Sequence, residues 1–374
     1  MSFTKRKIYI FTKTVPLVIL FMMPLLNNYL KILFKEEIEM NTKRLYKFDN
    51  ARFFLMFFVI LGHFLEITKG YGNNTILYHI IYSFHMPAFI FISGYFAKYQ
   101  PKKIIFYFIF PYIIFQFLYQ LFDFQILNTS IDKQLAFQFT TPYWILWYLF
   151  VMILYYLLIP FINTDKNHIQ YMILGSSIVL SLLIGYDASI GYYLSLSRFF
   201  TFLPFFVSGY YAGHDDTIKG RLELYAKKWW FRILITVGIC FACFYIWNSK
   251  NITASVLYGS CSYAAADYGI FTKLMLLIIA FLWTAFLFFI LFNTNKKIFL
   301  ISHIGSNTFP IFLLHGFFIK LIEKSDFLTH ASTGNLLWVF LFTFVIMILL
   351  GNSLCASVFH ILFMDNLIVR VLKK

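Results

Sequence analysis

A chain of 374 residues that is 60% hydrophobic and only 13% charged is not composed like a soluble globular domain, which carries nearer a quarter of its residues charged. Its formal charge of +15 suggests a phosphate-binding surface, but the basic residues are dispersed through short loops between apolar runs. Membrane topology explains them, and no nucleic-acid partner is expected.

In chain order, residues 1–39 come first. "VPLVILFMMPLLNNYLKILF" is apolar but interrupted by two prolines, two asparagines and a lysine, with basic residues on both sides. This reads as an N-terminal extension that is interfacial, or that precedes a true start at Met40. Beyond it, uncharged runs approach or exceed the roughly 20 residues that cross a bilayer. Ten spans are predicted, at about 52–68, 76–97, 104–122, 143–163, 169–186, 198–213, 230–247, 270–292, 308–322 and 335–362. The expected fold class is all-α: a polytopic integral membrane protein with one transmembrane domain over 40–374 and no soluble domain. The lipid bilayer is its obligatory partner. Cys240 and Cys243 form a C-x-x-C inside a span with no second pair or nearby histidine, which reads as packing rather than a metal site.

Lys and Arg in short loops set orientation. With the start of the first span placed in the cytoplasm, sixteen such residues fall on the cytoplasmic side, among them Lys43, Lys102, Lys103, Arg221 and Lys374. Only four, Lys69, Lys133, Lys250 and Lys324, fall outside. Both ends of the core are therefore expected to be cytoplasmic in the plasma membrane. The tracts "DFQILNTSIDKQLAFQFTTP" and "NSKNITASVLYGSCSYAAADYG" are then where an external substrate meets the protein.

The first span, "KFDNARFFLMFFVILGHFLE", carries Asp49, Arg52, His63 and Glu66. Arg52 and His63 are eleven residues apart, three turns plus about 20°, so they share a face. Glu66 lies within about 40° of Arg52 and Asp49 within about 60°. At about 1.5 Å per residue, His63 is roughly 16 Å deeper than Arg52. Ionisable groups inside a membrane are costly and usually mark function. A histidine near neutral pH suits a general base, and Glu66 one turn on either orients it or faces solvent at the span end. Arg52, with Asp49, either binds donor phosphate and orients the site or snorkels to the interface.

Further candidates follow along the chain. His85 opens "HMPAF", where Pro87 must break helix hydrogen bonding; it either lines a cavity or sits in a kinked, packed helix. Ser93 either donates to a developing oxyanion or packs closely with Gly94. Trp147, with Trp144 and Tyr148, either stacks on sugar or adenine or belongs to an aromatic belt. Arg198 either binds a glycan or carboxylate or snorkels. No phosphate loop, dinucleotide fingerprint or zinc-protease motif appears where it would work.

The R-x10-H of the first span, followed by "FHMPAFIFISGYF", "FIFPYIIFQF", "PYWILWYLFVMIL", "SRFFTFLPFFVSGYYAG" and "IGSNTFPIFLLHGFF", resembles the membrane-bound acyltransferase-3 family. Its nearest branch by these motifs is the fucose 4-O-acetylase-like sugar O-acetyltransferases. The resemblance runs from Arg44 to about Lys374 and includes the late histidine, His315, as a site-lining residue. It implies an O-acyltransferase, with acetyl-CoA as donor and no metal, acting on a hydroxyl of a cell-surface or lipid-linked polysaccharide. His63 would take the hydroxyl proton during attack on the thioester, or would itself carry the acyl group. The competing reading is a transporter or flippase for a lipid-linked glycan, with the polar stripe as a substrate path. Transporters of that kind often show inverted repeats, and none is visible in the sequence.

Overall fold

The computed structural model describes residues 45–70, 73–127, 138–249, 252–291, 295–325, 327–329 and 336–360. The extension 1–39, Lys43, Lys133, Lys250 and Lys374 lie outside them. The chain divides into units 1–46 and 47–374, and the second carries everything discussed below. No strand occurs among the described residues.

Among the described residues, seven helical segments are long and apolar enough to cross a membrane. They are α1 (Tyr46–Ile67), α2 with α3 (Asn74–Tyr82, His85–Tyr95), α4 (Pro101–Ile126), α5 (Trp144–Ile162), α6 (Asn167–Leu183), α9 (Trp229–Asn248) and α10 (Ile270–Phe286). Two further spans are bent pairs. α11 (Phe299–Ser306) meets α12 (Thr308–Lys324) at 81°, and α13 (Leu336–Gly351) meets α14 (Ser353–His360) at 57°. Among the described residues, nine spans at most are thus long and apolar enough, where ten were predicted. The bends fall at Asn307 and Asn352; Asn307 donates its side-chain amide to the Gly351 carbonyl (3.2 Å), so the two breaks lock together.

The remaining predicted span is α7 (Leu196–His214), which is too polar to meet the hydropathy test. Its composition follows from its place at the centre of the bundle. Ser197, Arg198, Thr201 and Gly209 on it are buried, and their polar groups bond to neighbours rather than meet lipid. Ser197 and Thr201 both donate to the Gly259 carbonyl (3.0 and 3.3 Å). α7 crosses α3 at very close range. A Cβ on Gly209 would lie 2.1 Å from the Phe91 carbonyl oxygen, and one on Gly94 2.3 Å from that of Phe206. This is the small-residue packing that lets membrane helices approach backbone to backbone.

Local breaks are explained by sequence. The α2–α3 break sits at Ser83–Phe84, because Pro87 has no N–H to offer the Ser83 carbonyl. α4 starts with Pro101, and a wider-than-α turn over Ile104–Ile109 accommodates Pro111. After α7, Asp215 caps the basic helix α8 (Asp216–Lys227) by accepting from the Ile218 N–H (2.9 Å) and from Gln170 (2.9 Å). Those two bonds hold its carboxyl below the usual range, so the cap stays ionised at neutral pH.

Candidate functional site: two chambers around one phenylalanine

α1 places Val59, His63 and Glu66 on one stripe, and that stripe forms one wall of a cavity of about 270 Å³. α2 and α3 add Tyr82 and His85, α5 adds Trp144 and Trp147, α7 adds Arg198, and the chain between α9 and α10 adds Tyr258. This is the histidine chamber.

A hydrogen-bond network fixes its polarity. The Tyr82 hydroxyl lies 3.2 Å from His63 Nδ1 and donates to Glu66 Oε2 at 3.4 Å. A phenol has one proton, so with that proton on the Glu66 side His63 must donate Nδ1–H to Tyr82. The His63 lone pair is then on Nε2, the tautomer a general base needs. Glu66 Oε1 accepts from the Tyr258 hydroxyl, and Lys69 Nζ stands 3.5 Å from the same oxygen. Tyr78 in turn donates to the Tyr258 oxygen (2.9 Å). Burial, with the Glu66 carboxylate beside it, pushes the Tyr258 phenol up, so Tyr258 remains a donor. Tyr82, Tyr258 and Lys69 thus converge on Glu66, whose Oε2 also stands 3.8 Å from His63 Nδ1, an arrangement able to stabilise positive charge on the imidazole.

Tyr82→Phe is expected to break this relay without opening the packing. Loss of one hydrogen bond in a charged network should lower transfer about 10- to 100-fold. Measuring turnover and thermal midpoint together checks it: turnover falls and the midpoint stays near wild type.

Two other histidines stand close to His63. His85 Nδ1 donates to the Ile81 carbonyl (2.7 Å) and His315 Nδ1 to the Ile311 carbonyl (2.9 Å), which fixes the orientation of both rings. His315 lies behind His63, ring to ring at 5.7 Å, fully buried and with Nε2 unpartnered. Trp144 closes on the His63 ring at 4.5 Å. Among the described residues, no group of three histidine, cysteine or acidic side chains is arranged to hold a metal.

Arg198 is buried, with its guanidinium 5.0 Å from the ring centres of both Trp147 and Tyr192 and its Nε donating to the Tyr258 carbonyl (3.2 Å). No carboxylate among the described residues pairs with it. Trp147 also stacks on Phe202 at 5.6 Å. Both residues therefore face the cavity rather than a lipid belt.

Arg52 and Ser93 lie elsewhere. They line a second cavity of about 380 Å³, the arginine chamber, together with Lys103, Tyr148 and Tyr156. Arg52 is 3.5 Å from Asp49 Oδ1 and stacks over Phe96 at 5.1 Å, while Lys103 sits over Tyr156 at 5.2 Å. Ser93 Oγ is 2.6 Å from the Tyr148 hydroxyl. Asp49 is buried at the start of α1, next to the close approach of Gly305. Two cations beside aromatic faces suit a nucleotide phosphate with its base.

Two contributors were not singled out from the sequence. Tyr82 precedes His85 by one turn, and Tyr258 lies in the long loop picked out as a substrate-facing tract, but nothing local ties either to Glu66. Lys273, buried on α10, lines neither chamber; it bonds Thr201 Oγ1 at 3.3 Å and sits over Tyr263 at 5.7 Å.

A helical bundle with a carboxylate-supported histidine in one cavity and a cationic second cavity defines a membrane-embedded transferase more readily than a channel. Residues 45–353 match the acyltransferase domain of the acyltransferase-3 family, and the chain belongs to that family. It is a membrane acyltransferase. Comparison with curated proteins and with solved structures gave no significant match.

Proposed function

We propose that the chain is an O-acetyltransferase of the plasma membrane that moves an acetyl group from cytoplasmic acetyl-CoA to a hydroxyl of a cell-surface or lipid-linked polysaccharide. The observation that carries this is the His63–Tyr82–Glu66 relay, which leaves His63 Nε2 as a base inside a cavity large enough for a sugar unit. The likeness of the motifs to the fucose 4-O-acetylase-like branch supports acetyl as the group and a sugar as the acceptor. The arginine chamber is assigned to the donor, since Arg52 and Lys103 supply phosphate-binding charge. That end of the bundle also carries Lys98, Lys102 and Lys103, which supports a cytoplasmic side for it and for both ends of the core.

In the reaction, His63 Nε2 takes the proton of the acceptor hydroxyl as its oxygen attacks the thioester carbonyl. The new C–O bond forms, the C–S bond breaks, and the CoA thiolate leaves with the proton returned from His63. Glu66, through Tyr82, stabilises the imidazolium between those two transfers. Arg198, between Trp147 and Tyr192, holds the acceptor, and stacking on the Trp147 side suits a sugar face.

The test uses the purified full chain in lipid vesicles with radiolabelled acetyl-CoA and envelope glycan. Wild type is expected to put label into base-labile esters of the glycan, and His63→Ala to leave it on CoA. Label remaining on CoA with both proteins contradicts the proposal.

A further inference from the structure

The two chambers share one residue. Four helical segments each line both of them, and on each the two sets of lining residues are neighbours in sequence. α1 gives Met56 to the arginine chamber and Val59 to the histidine chamber; the segment of α2 with α3 gives Phe89 and Met86; α5 gives Tyr148 and Trp147. On α12 the two meet in a single side chain, Phe312, which lines both cavities. Its ring lies edge-on to Tyr148 at 5.3 Å on one side and 6.3 Å from His315 on the other. It is 8% exposed despite facing two cavities, so its ring is packed into the wall between them.

Resting on the acyl-CoA reading above, we infer that Phe312 is the seal between the donor and acceptor chambers, and that it keeps the donor thioester apart from His63 and the water beside it until the thioester arm has displaced the ring. The need for a seal follows from the chemistry. A base that activates a sugar hydroxyl activates water equally well. If water attacks, its oxygen bonds the acyl carbon, the C–S bond breaks, and His63 passes the water proton to the CoA sulfur. Acetyl-CoA and water then give acetic acid and CoA, and the donor is lost. A ring at the wall the two chambers share admits a narrow thioester arm by swinging aside, and the arm then plugs the opening it has made. Phe312 is thus a positioning residue that sets the partition between transfer and hydrolysis.

The test measures CoA thiol release by the full chain in vesicles, first with acetyl-CoA alone and then with glycan present. For Phe312→Ala, acceptor-free CoA release is expected to rise about tenfold, with ester formation per CoA released falling correspondingly. The rise is expected to vanish in the His63→Ala background. Phe312→Leu keeps apolar volume and is expected to fall between the two; it carries the comparison if the alanine variant does not fold. Folded, transfer-competent variants with unchanged acceptor-free CoA release overturn the inference. Folded variants that neither transfer nor hydrolyse also overturn it, because Phe312 then serves the reaction itself. If wild type shows no His63-dependent CoA release or transfer at all, the acyl-CoA reading has failed, and the seal with it.

Discussion

His63→Ala is expected to lower acyl transfer by about 10²- to 10⁴-fold, the range a positioned general base supplies, with the amount of protein in the membrane unchanged. The loss is chemical because the ring sits on a cavity wall between Trp144 and His315, and its polar contacts among the described residues are at Nδ1, with Tyr82 at 3.2 Å and Glu66 at 3.8 Å. His63→Gln separates shape from basicity: the amide fills much of the imidazole volume and still reaches Tyr82, but it cannot take a proton. It is expected to be as inactive as the alanine variant. Turnover of both variants, with folding checked by thermal unfolding, gives the answer. A glutamine variant with near wild-type turnover would show that His63 is not the base. His85→Ala and His315→Ala leave the relay in place and are expected to cost less.

Gly209→Val is expected to prevent assembly of the bundle. The crossing of α7 over α3 leaves no room for a Cβ: one at Gly209 would be 2.1 Å from the Phe91 carbonyl oxygen, where contact requires more than 3 Å or so. The obstruction is backbone, so no rotamer change relieves it, and the helices must separate. Gly213 on the same face of α7 approaches the Tyr95 carbonyl oxygen equally closely, so separation at Gly209 undoes that contact too. Even Gly209→Ala is expected to exceed the roughly 1–3 kcal/mol typical of overpacking. Because α3 carries His85 and α7 carries Arg198, a surviving variant should also lose activity. Gly175→Ala on α6 is the control: nothing lies within 4 Å of its would-be Cβ, and removing a helical glycine should be neutral or stabilising by up to about 1 kcal/mol. Membrane levels and thermal midpoints of the three variants decide the matter.

Much of the fold is legible in the sequence because hydropathy reports the bilayer directly. Each predicted span from 52–68 to 335–362 has a helix at its position. The bends at Asn307 and Asn352 were not legible, because what stabilises them is a tertiary bond between the two breaks. Nor was the centrality of α7, whose polar side chains are explained only by the neighbours that satisfy them. At the site, helical periodicity correctly puts Arg52 and His63 on one face of α1. It does not reveal that they serve different chambers, because the partition, Phe312, comes from a helix about 250 residues further on. The supports of Glu66 were hidden for the same reason: Tyr258 and Tyr82 reach it across the bundle, and pairing at that separation leaves no periodic trace.

The central claim is most directly tested by measuring glycan-bound acetyl ester and total surface glycan in cells carrying wild type, His63→Ala, Arg52→Ala or no protein, at matched membrane levels. The account predicts that ester disappears with His63→Ala while the amount of surface glycan stays normal. Intact ester with a fall in surface glycan would contradict it and make the protein a glycan transporter.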